Sequence, residues 1–197
     1  MHARFSLFNT AVDLAHSFWT SLLKEGDHVI DATLGNGHDA HFLAKIVLKG
    51  DKGTLFGFDI QETALVNTWK QLASAFNESE LKRMILFHEN HNQMKRLIKE
   101  PIKLIVYNLG YLPGGDKKLT TFALSTLESI RQGMEMLING GVISIVCYPG
   151  HDEGLNEEKI LLDFLKSLLP SAWSVSHFQF ENRVNAPSLI LVQKSVK

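Results

Sequence analysis

Apolar and polar positions follow two rhythms along this chain. Short runs rich in β-branched and aromatic residues alternate with longer stretches whose apolar residues recur every three or four positions. Residues 10–23 place Val12, Leu14, Ala15, Phe18, Trp19, Leu22 and Leu23 at helical spacing, with Thr10 positioned as a cap. Strands are expected over residues 28–31, 53–59, 84–88, 102–108 and 142–148. Helices are expected over about 39–48, 62–76, 93–98, 120–137 and 157–168, with Asn139-Gly140-Gly141 ending the fourth and Pro170 stopping the last. Repeated strand–helix units predict an α/β fold with a mainly parallel sheet. The last two strand-like runs, 173–180 and 188–196, are separated only by residues 181–187. That gap is too short for a parallel crossover, so the pair is expected to be an antiparallel hairpin.

The chain has 197 residues, 45% hydrophobic and 21% charged, and is expected to form one domain spanning residues 1–197. Its formal net charge of -1 supplies no global attraction to nucleic acid or membrane, so an RNA partner would need a local basic face. The basic clusters are Lys82-Arg83, Lys95-Arg96 with Lys99, and Lys117-Lys118, and a solvated surface accounts for each. The single cysteine, Cys147, excludes an internal disulfide and sits in an apolar run, as a buried structural thiol does. No apolar run reaches the length of a membrane span, and the first residues show no secretory pattern, so a cytoplasmic enzyme is the expectation.

The candidate chemistry begins at Asp31-Ala32-Thr33-Leu34-Gly35-Asn36-Gly37-His38-Asp39, between the first strand and the next helix. Gly35 and Gly37 let the backbone turn tightly and approach a ligand, and the following helix presents free N–H groups. Asp59, at the end of the second strand, is placed to accept hydrogen bonds from the two hydroxyls of an adenosine ribose. Gly35-Asn36-Gly37-His38-Asp39-Ala40 also satisfies a dinucleotide fingerprint, which keeps an NAD-dependent oxidoreductase open as an alternative. Asp39 would place negative charge where a pyrophosphate sits, and Asp31 adds a second carboxylate. Both acids suit a cationic cofactor instead, and S-adenosylmethionine carries an ammonium and a sulfonium.

Asn108-Leu109-Gly110-Tyr111-Leu112-Pro113-Gly114-Gly115-Asp116-Lys117 follows the fourth strand, where the ligand crevice of such a sheet lies. The Asn108 amide can hold an amino group, and Tyr111 offers a ring for stacking on a base. His88-Glu89-Asn90-His91 places Asn90 and His91 near an adenine edge; a metal site on the two histidines is the weaker reading, because no third ligand is near. Tyr148-Pro149-Gly150-His151-Asp152-Glu153-Gly154 follows the fifth strand and is expected to close over substrate, with His151 as a candidate base. Asn182-Arg183-Val184-Asn185-Ala186-Pro187, in the hairpin, is a candidate for reaching the site or contacting a phosphate.

The glycine loop, Phe58-Asp59-Ile60-Gln61 and the motif 108–117 together resemble the bacterial family labelled "putative rRNA methylase", which includes tRNA 5-aminomethyl-2-thiouridine methyltransferases. The resemblance covers essentially the whole chain. It implies a Rossmann-like class I methyltransferase of seven strands, helices on both faces and an antiparallel last strand. It also implies methyl transfer from S-adenosylmethionine to the aminomethyl nitrogen of the wobble uridine in tRNA, with rRNA or a small molecule as the alternative substrate. Carried over by position, Asn36, Gly37 and Asp39 would hold the methionine end, Asp59 and Gln61 the ribose, and Asn90 and His91 the adenosine side. With Asp31 and Gly35 these make the expected cofactor set; Asn108, Tyr111 and His151 make the expected catalytic set. Thr33 departs from the common pattern, standing where such loops often have glycine. A homodimer is expected as a way to widen the RNA-binding face.

Overall fold

The structure, a computed structural model, describes residues 5–110 and 123–197. Its elements run α1 (Ala11–Leu22), β1 (His28–Asp31), α2 (His38–Val47), β2 (Thr54–Asp59), α3 (Glu62–Ala73), α4 (Glu78–Leu81) and β3 (Met84–His88). A 3-10 turn at His91–Gln93 leads into α5 (Met94–Leu97) and β4 (Ile102–Asn108). The remainder is α6 (Ala123–Met136), β5 (Leu137–Cys147), α7 (Asp152–Leu165), β6 (Trp173–Phe178) and β7 (Ser188–Lys194).

The seven strands form one sheet in the order β3-β2-β1-β4-β5-β7-β6. Strands β1 to β5 pair in parallel, and β7 inserts antiparallel between β5 and β6. The expected hairpin is present. The sheet is apolar on both faces, as a parallel sheet covered by helices must be. One core gathers Ala15 and Trp19 of α1, Leu43 and Val47 of α2 and Leu72 of α3 against Val29, Leu55, Leu104 and Leu191. The other gathers Met94, Ile130, Leu161 and Leu165 of α5, α6 and α7 against Ile30, Phe58, Ile105 and Ile145. Cys147 is buried in this second core, and burial pushes its thiol far up, so it remains protonated.

Three local expectations shift. The chain enters β5 directly from α6, with no break at Asn139-Gly140-Gly141. Pairing steps two residues along β4 (Ile102 to Leu104) but five along β5 (Leu137 to Val142), so these residues bulge out of the strand. Gly140 adopts φ +71° there, and the Lys103 ammonium donates to its carbonyl at 2.8 Å. Helix α7 starts at Asp152, well before 157, because the His151 ring caps it by accepting the Gly154 N–H at 3.0 Å. The short α4 was unforeseen; Asn77 and Glu80 build a reciprocal capping box that stabilises one turn. Helix α1 follows its expected course, with Thr10 and Asp13 forming the same kind of box.

The strand order reverses direction between β1 and β4, whose carboxyl ends therefore flank the crevice of the sheet. Among the described residues, no helix is long and apolar enough to cross a membrane.

Candidate active site

Strand β1 ends at Asp31, and the chain turns through the glycine loop into α2. Gly35 and Gly37 both take left-handed backbone conformations, φ +53° and +81°. A side chain at Gly37 would sit 2.8 Å from the Thr68 Cα of α3, so the loop packs on that helix as only glycine allows. Gly37 is the N-cap of α2 and makes no side-chain hydrogen bond to it. Thr68 donates to the Gly35 carbonyl at 3.3 Å, and the Asn67 amide meets the Asn36 side chain at 3.2 Å.

Asp59 fastens the loop from β2. Its Oδ2 accepts the Gly35 N–H and its Oδ1 the Gln61 N–H, each at 2.9 Å. Each oxygen retains lone-pair capacity for a ligand hydroxyl. Partial burial raises the Asp59 pKa, and the N–H groups of Gln61, Gly35 and Ile60 oppose that rise.

Asp31 is fully enclosed. Its Oδ1 accepts the Thr33 N–H at 3.1 Å, and its Oδ2 is buried without a hydrogen bond among the described residues. Burial, then repulsion from Asp39, holds its carboxyl well above the usual range. The Thr33 hydroxyl accepts the Asn108 N–H at 2.7 Å, tying the glycine loop to the end of β4. The departure from glycine at this position thus has a structural use.

Asp39, in the first turn of α2, is the junction of the site. Its Oδ1 meets His16 Nε2 of α1 at 2.7 Å, and its Oδ2 accepts the Asn108 Nδ2 at 2.7 Å. The Tyr148 hydroxyl, just beyond β5, donates to the Asn108 Oδ1 at 2.9 Å. Burial, then the charge of Asp39, raises the Tyr148 pKa, keeping it a donor.

The structure brings together Asp31, Gly35, Asn36, Gly37, Asp39, Asp59, Gln61 and Asn108. Asn90 caps the 3-10 turn after β3, accepting the Asn92 N–H at 3.0 Å. The His91 ring is turned inward, edge-on to Tyr107 at 5.7 Å between centroids, and burial lowers its pKa to about 4. His88 reaches back to the Ile60 carbonyl at 3.0 Å. His151 serves as the cap of α7. In the hairpin, Arg183 lies over the Phe180 ring at 4.2 Å, joining that turn to the N-terminal segment. Tyr111 and the rest of its loop lie outside the described residues.

The sequence reading left His16 and Tyr148 without roles. His16 lies four positions after Val12 and three before Trp19, among the apolar positions of α1. A titratable group on an apolar helix face was the available signal. Tyr148 stood inside a loop already expected to close over substrate; its partner could be known only once β4 and β5 were paired.

These residues fit S-adenosylmethionine. The glycine cradle admits close approach, Asp59 offers acceptors at the second strand, and Asp31 and Asp39 add acidic groups beside the loop, which suits a cationic ligand.

Residues 55–194 match the family model described as "Putative rRNA methylase". The chain is 35% identical over 189 residues to the chloroplastic tRNA (mnm(5)s(2)U34)-methyltransferase of Arabidopsis thaliana, covering 93% of this chain and 69% of that protein. A crystal structure titled a putative rRNA-methylase, from Clostridium thermocellum, superposes with a TM-score of 0.89 at 37% identity, covering 95% of this chain and 98% of that one. A Streptococcus mutans structure, titled a putative methyltransferase in complex with SAH, gives a TM-score of 0.84 at 30% identity, covering 95% and 99%. The chain belongs to the family described as "Putative rRNA methylase", and so to the class I methyltransferases that use S-adenosylmethionine.

Proposed function

We propose that this chain methylates the aminomethyl nitrogen on the wobble uridine of tRNA, 5-aminomethyl-2-thiouridine. The observation that carries the reading is the Asn108 amide at the end of β4, held on both sides by Asp39 and Tyr148. A carbonyl oxygen in that setting accepts from an amine N–H and orients the nitrogen lone pair for attack. The 35% identity to a relative named for mnm(5)s(2)U34 in tRNA supports the same choice.

The bound cofactor supplies an electrophilic methyl group on a sulfonium sulfur. Asp59 and the Gly35–Gly37 backbone hold its adenosine and methionine ends in this reading, and Asp31 and Asp39 balance its positive charge. Asn108 positions the neutral amine. The methyl group would come from the cofactor's sulfonium, which would leave as a neutral thioether, and the methylated amine would release one proton to solvent. His151 Nδ1 accepts a backbone N–H, so a neutral His151 carries its proton on Nε2, and a basic role would require giving up the α7 cap. The chemistry then rests on positioning.

Mass spectrometry of tRNA nucleosides from a deletion strain tests the reading. The aminomethyl nucleoside should accumulate and its methylated form disappear; persistence of the methylated form refutes it. A second reading, rRNA, is favoured by the family's description. The same digest applied to rRNA would then show the lost methyl group. Tyr111→Ala is expected to reduce turnover and spare cofactor binding. The proposed tRNA contact predicts affinity that falls as salt rises, because phosphate contacts release counterions. Sedimentation of the free protein tests the proposed homodimer.

A further inference from the structure

We propose that His16 is a positioning residue for Asn108, acting through Asp39, and that Tyr148 completes the same chain from the other side. This rests on the reading of Asn108 as the group that holds the substrate amine.

Four side chains from separate parts of the fold form one line. His16 Nε2 meets Asp39 Oδ1 at 2.7 Å, Asp39 Oδ2 meets Asn108 Nδ2 at 2.7 Å, and Asn108 Oδ1 meets the Tyr148 hydroxyl at 2.9 Å. Donor and acceptor roles along it follow from chemistry. An ionised carboxylate can only accept. The side of the Asn108 amide facing Asp39 is therefore its NH2 group, and the nitrogen of His16 facing Asp39 carries a proton. The Asn108 carbonyl is left facing Tyr148, whose single hydroxyl proton occupies one lone pair. Among the described residues nothing else bonds that oxygen, which leaves its second lone pair to accept from a substrate amine.

An Asn amide turned by half a rotation would present N–H donors to the amine, which also brings N–H donors. Asp39 removes that alternative, provided its own carboxylate is fixed. His16 fixes it. The His16 ring stacks on Phe42 at 3.9 Å and 18°, and tilts against Trp19 at 4.8 Å, so the packing of α1 on α2 aims the imidazole. The pair is largely shielded, with side-chain exposures of 25% for His16 and 12% for Asp39, which strengthens a charge-assisted contact. Helix α1 thus has a use in the reaction beyond covering the sheet.

The test compares His16→Phe, which keeps the aromatic packing and removes the donor, with His16→Gln, which keeps a donor. In the full-length protein saturated with S-adenosylhomocysteine, the Asn108 side-chain NH2 resonances, identified by their loss in Asn108→Ala, should shift in His16→Phe and return toward wild type in His16→Gln. With tRNA lacking the methyl group, His16→Phe should lower kcat by about tenfold, the scale of one charge-assisted hydrogen bond. Its affinity for S-adenosylhomocysteine should fall by clearly less than kcat, and His16→Gln should recover most of the turnover. Equal kcat for the two variants, unmoved Asn108 resonances, or cofactor affinity falling in step with kcat each overturn the proposal. If His16→Phe fails to fold, Tyr148→Phe tests the other end: kcat should fall with cofactor affinity retained, and wild-type kcat overturns the proposal. A wild-type protein inactive on that tRNA refutes the substrate reading, while the resonances still judge the hydrogen-bond chain.

Discussion

The carboxylate of Asp59 accepts the N–H of Gly35 at 2.9 Å across 24 positions of sequence. One side chain therefore anchors the glycine loop from the neighbouring strand and faces the expected ribose position. Asp59→Ala removes both contributions. Cofactor affinity should fall by roughly 1–3 kcal/mol, the range for lost hydrogen bonds to a charged group. Calorimetric titration with S-adenosylhomocysteine measures it, and unchanged affinity would remove Asp59 from the cofactor site.

Gly37→Ala should damage the same loop by a different route. Its φ of +81° costs a residue with a Cβ about 1–2 kcal/mol, and that Cβ would stand 2.8 Å from the Thr68 backbone. We expect a lower melting temperature together with weaker cofactor binding. A variant matching wild type in both would show that the loop relaxes freely away from α3.

Asp31 trades stability for charge. Its raised folded-state pKa means that the ionised form is disfavoured in the folded chain, so its penalty grows as pH rises through the folded pKa and is absent below the unfolded value of 3.8. Asp31→Asn should therefore raise the melting temperature at neutral pH by about 2–4 °C per kcal/mol recovered. The gain should shrink toward pH 3.8, and affinity for S-adenosylmethionine should drop. Thermal melts across pH decide the matter; a gain independent of pH would point away from ionisation.

His91 contributes with the opposite sign. Burial lowers its pKa from 6.5 to about 4, so the unfolded chain binds a proton there that the folded chain refuses. No penalty applies above pH 6.5, where the ring is neutral in both states, and the destabilisation grows as pH falls from 6.5 toward about 4. Denaturant titrations should show stability declining over that window, and His91→Leu should flatten the slope. An unaltered slope would assign the acid sensitivity to other groups.

The strand runs were legible because short, nearly continuous apolar runs rich in β-branched and aromatic residues stand between stretches of helical spacing. β1, β3 and β4 begin and end where the pattern places them. The bulge at Asn139–Gly141 was not legible, since a glycine pair reads equally as a helix stop; only pairing of β5 with β4 and the Lys103 contact decide it. The start of α7 was hidden because histidine is an uncommon cap, and its Nδ1 acts as one only in a particular tautomer.

For the proposed cofactor side, local chemistry in the sequence supplied the candidates: glycines where the backbone turns left-handed and acids at strand ends. The substrate side depended on distance. His16, Asp39, Asn108 and Tyr148 span most of the chain, and nothing in their spacing announces that they touch. Sequence determined which groups were available and roughly which end of the sheet they occupy. Tertiary structure alone determined which donor meets which acceptor, because hydrogen bonds demand placement within a few tenths of an ångström, and that precision comes from the packing of α1 on α2 and of β4 beside β5.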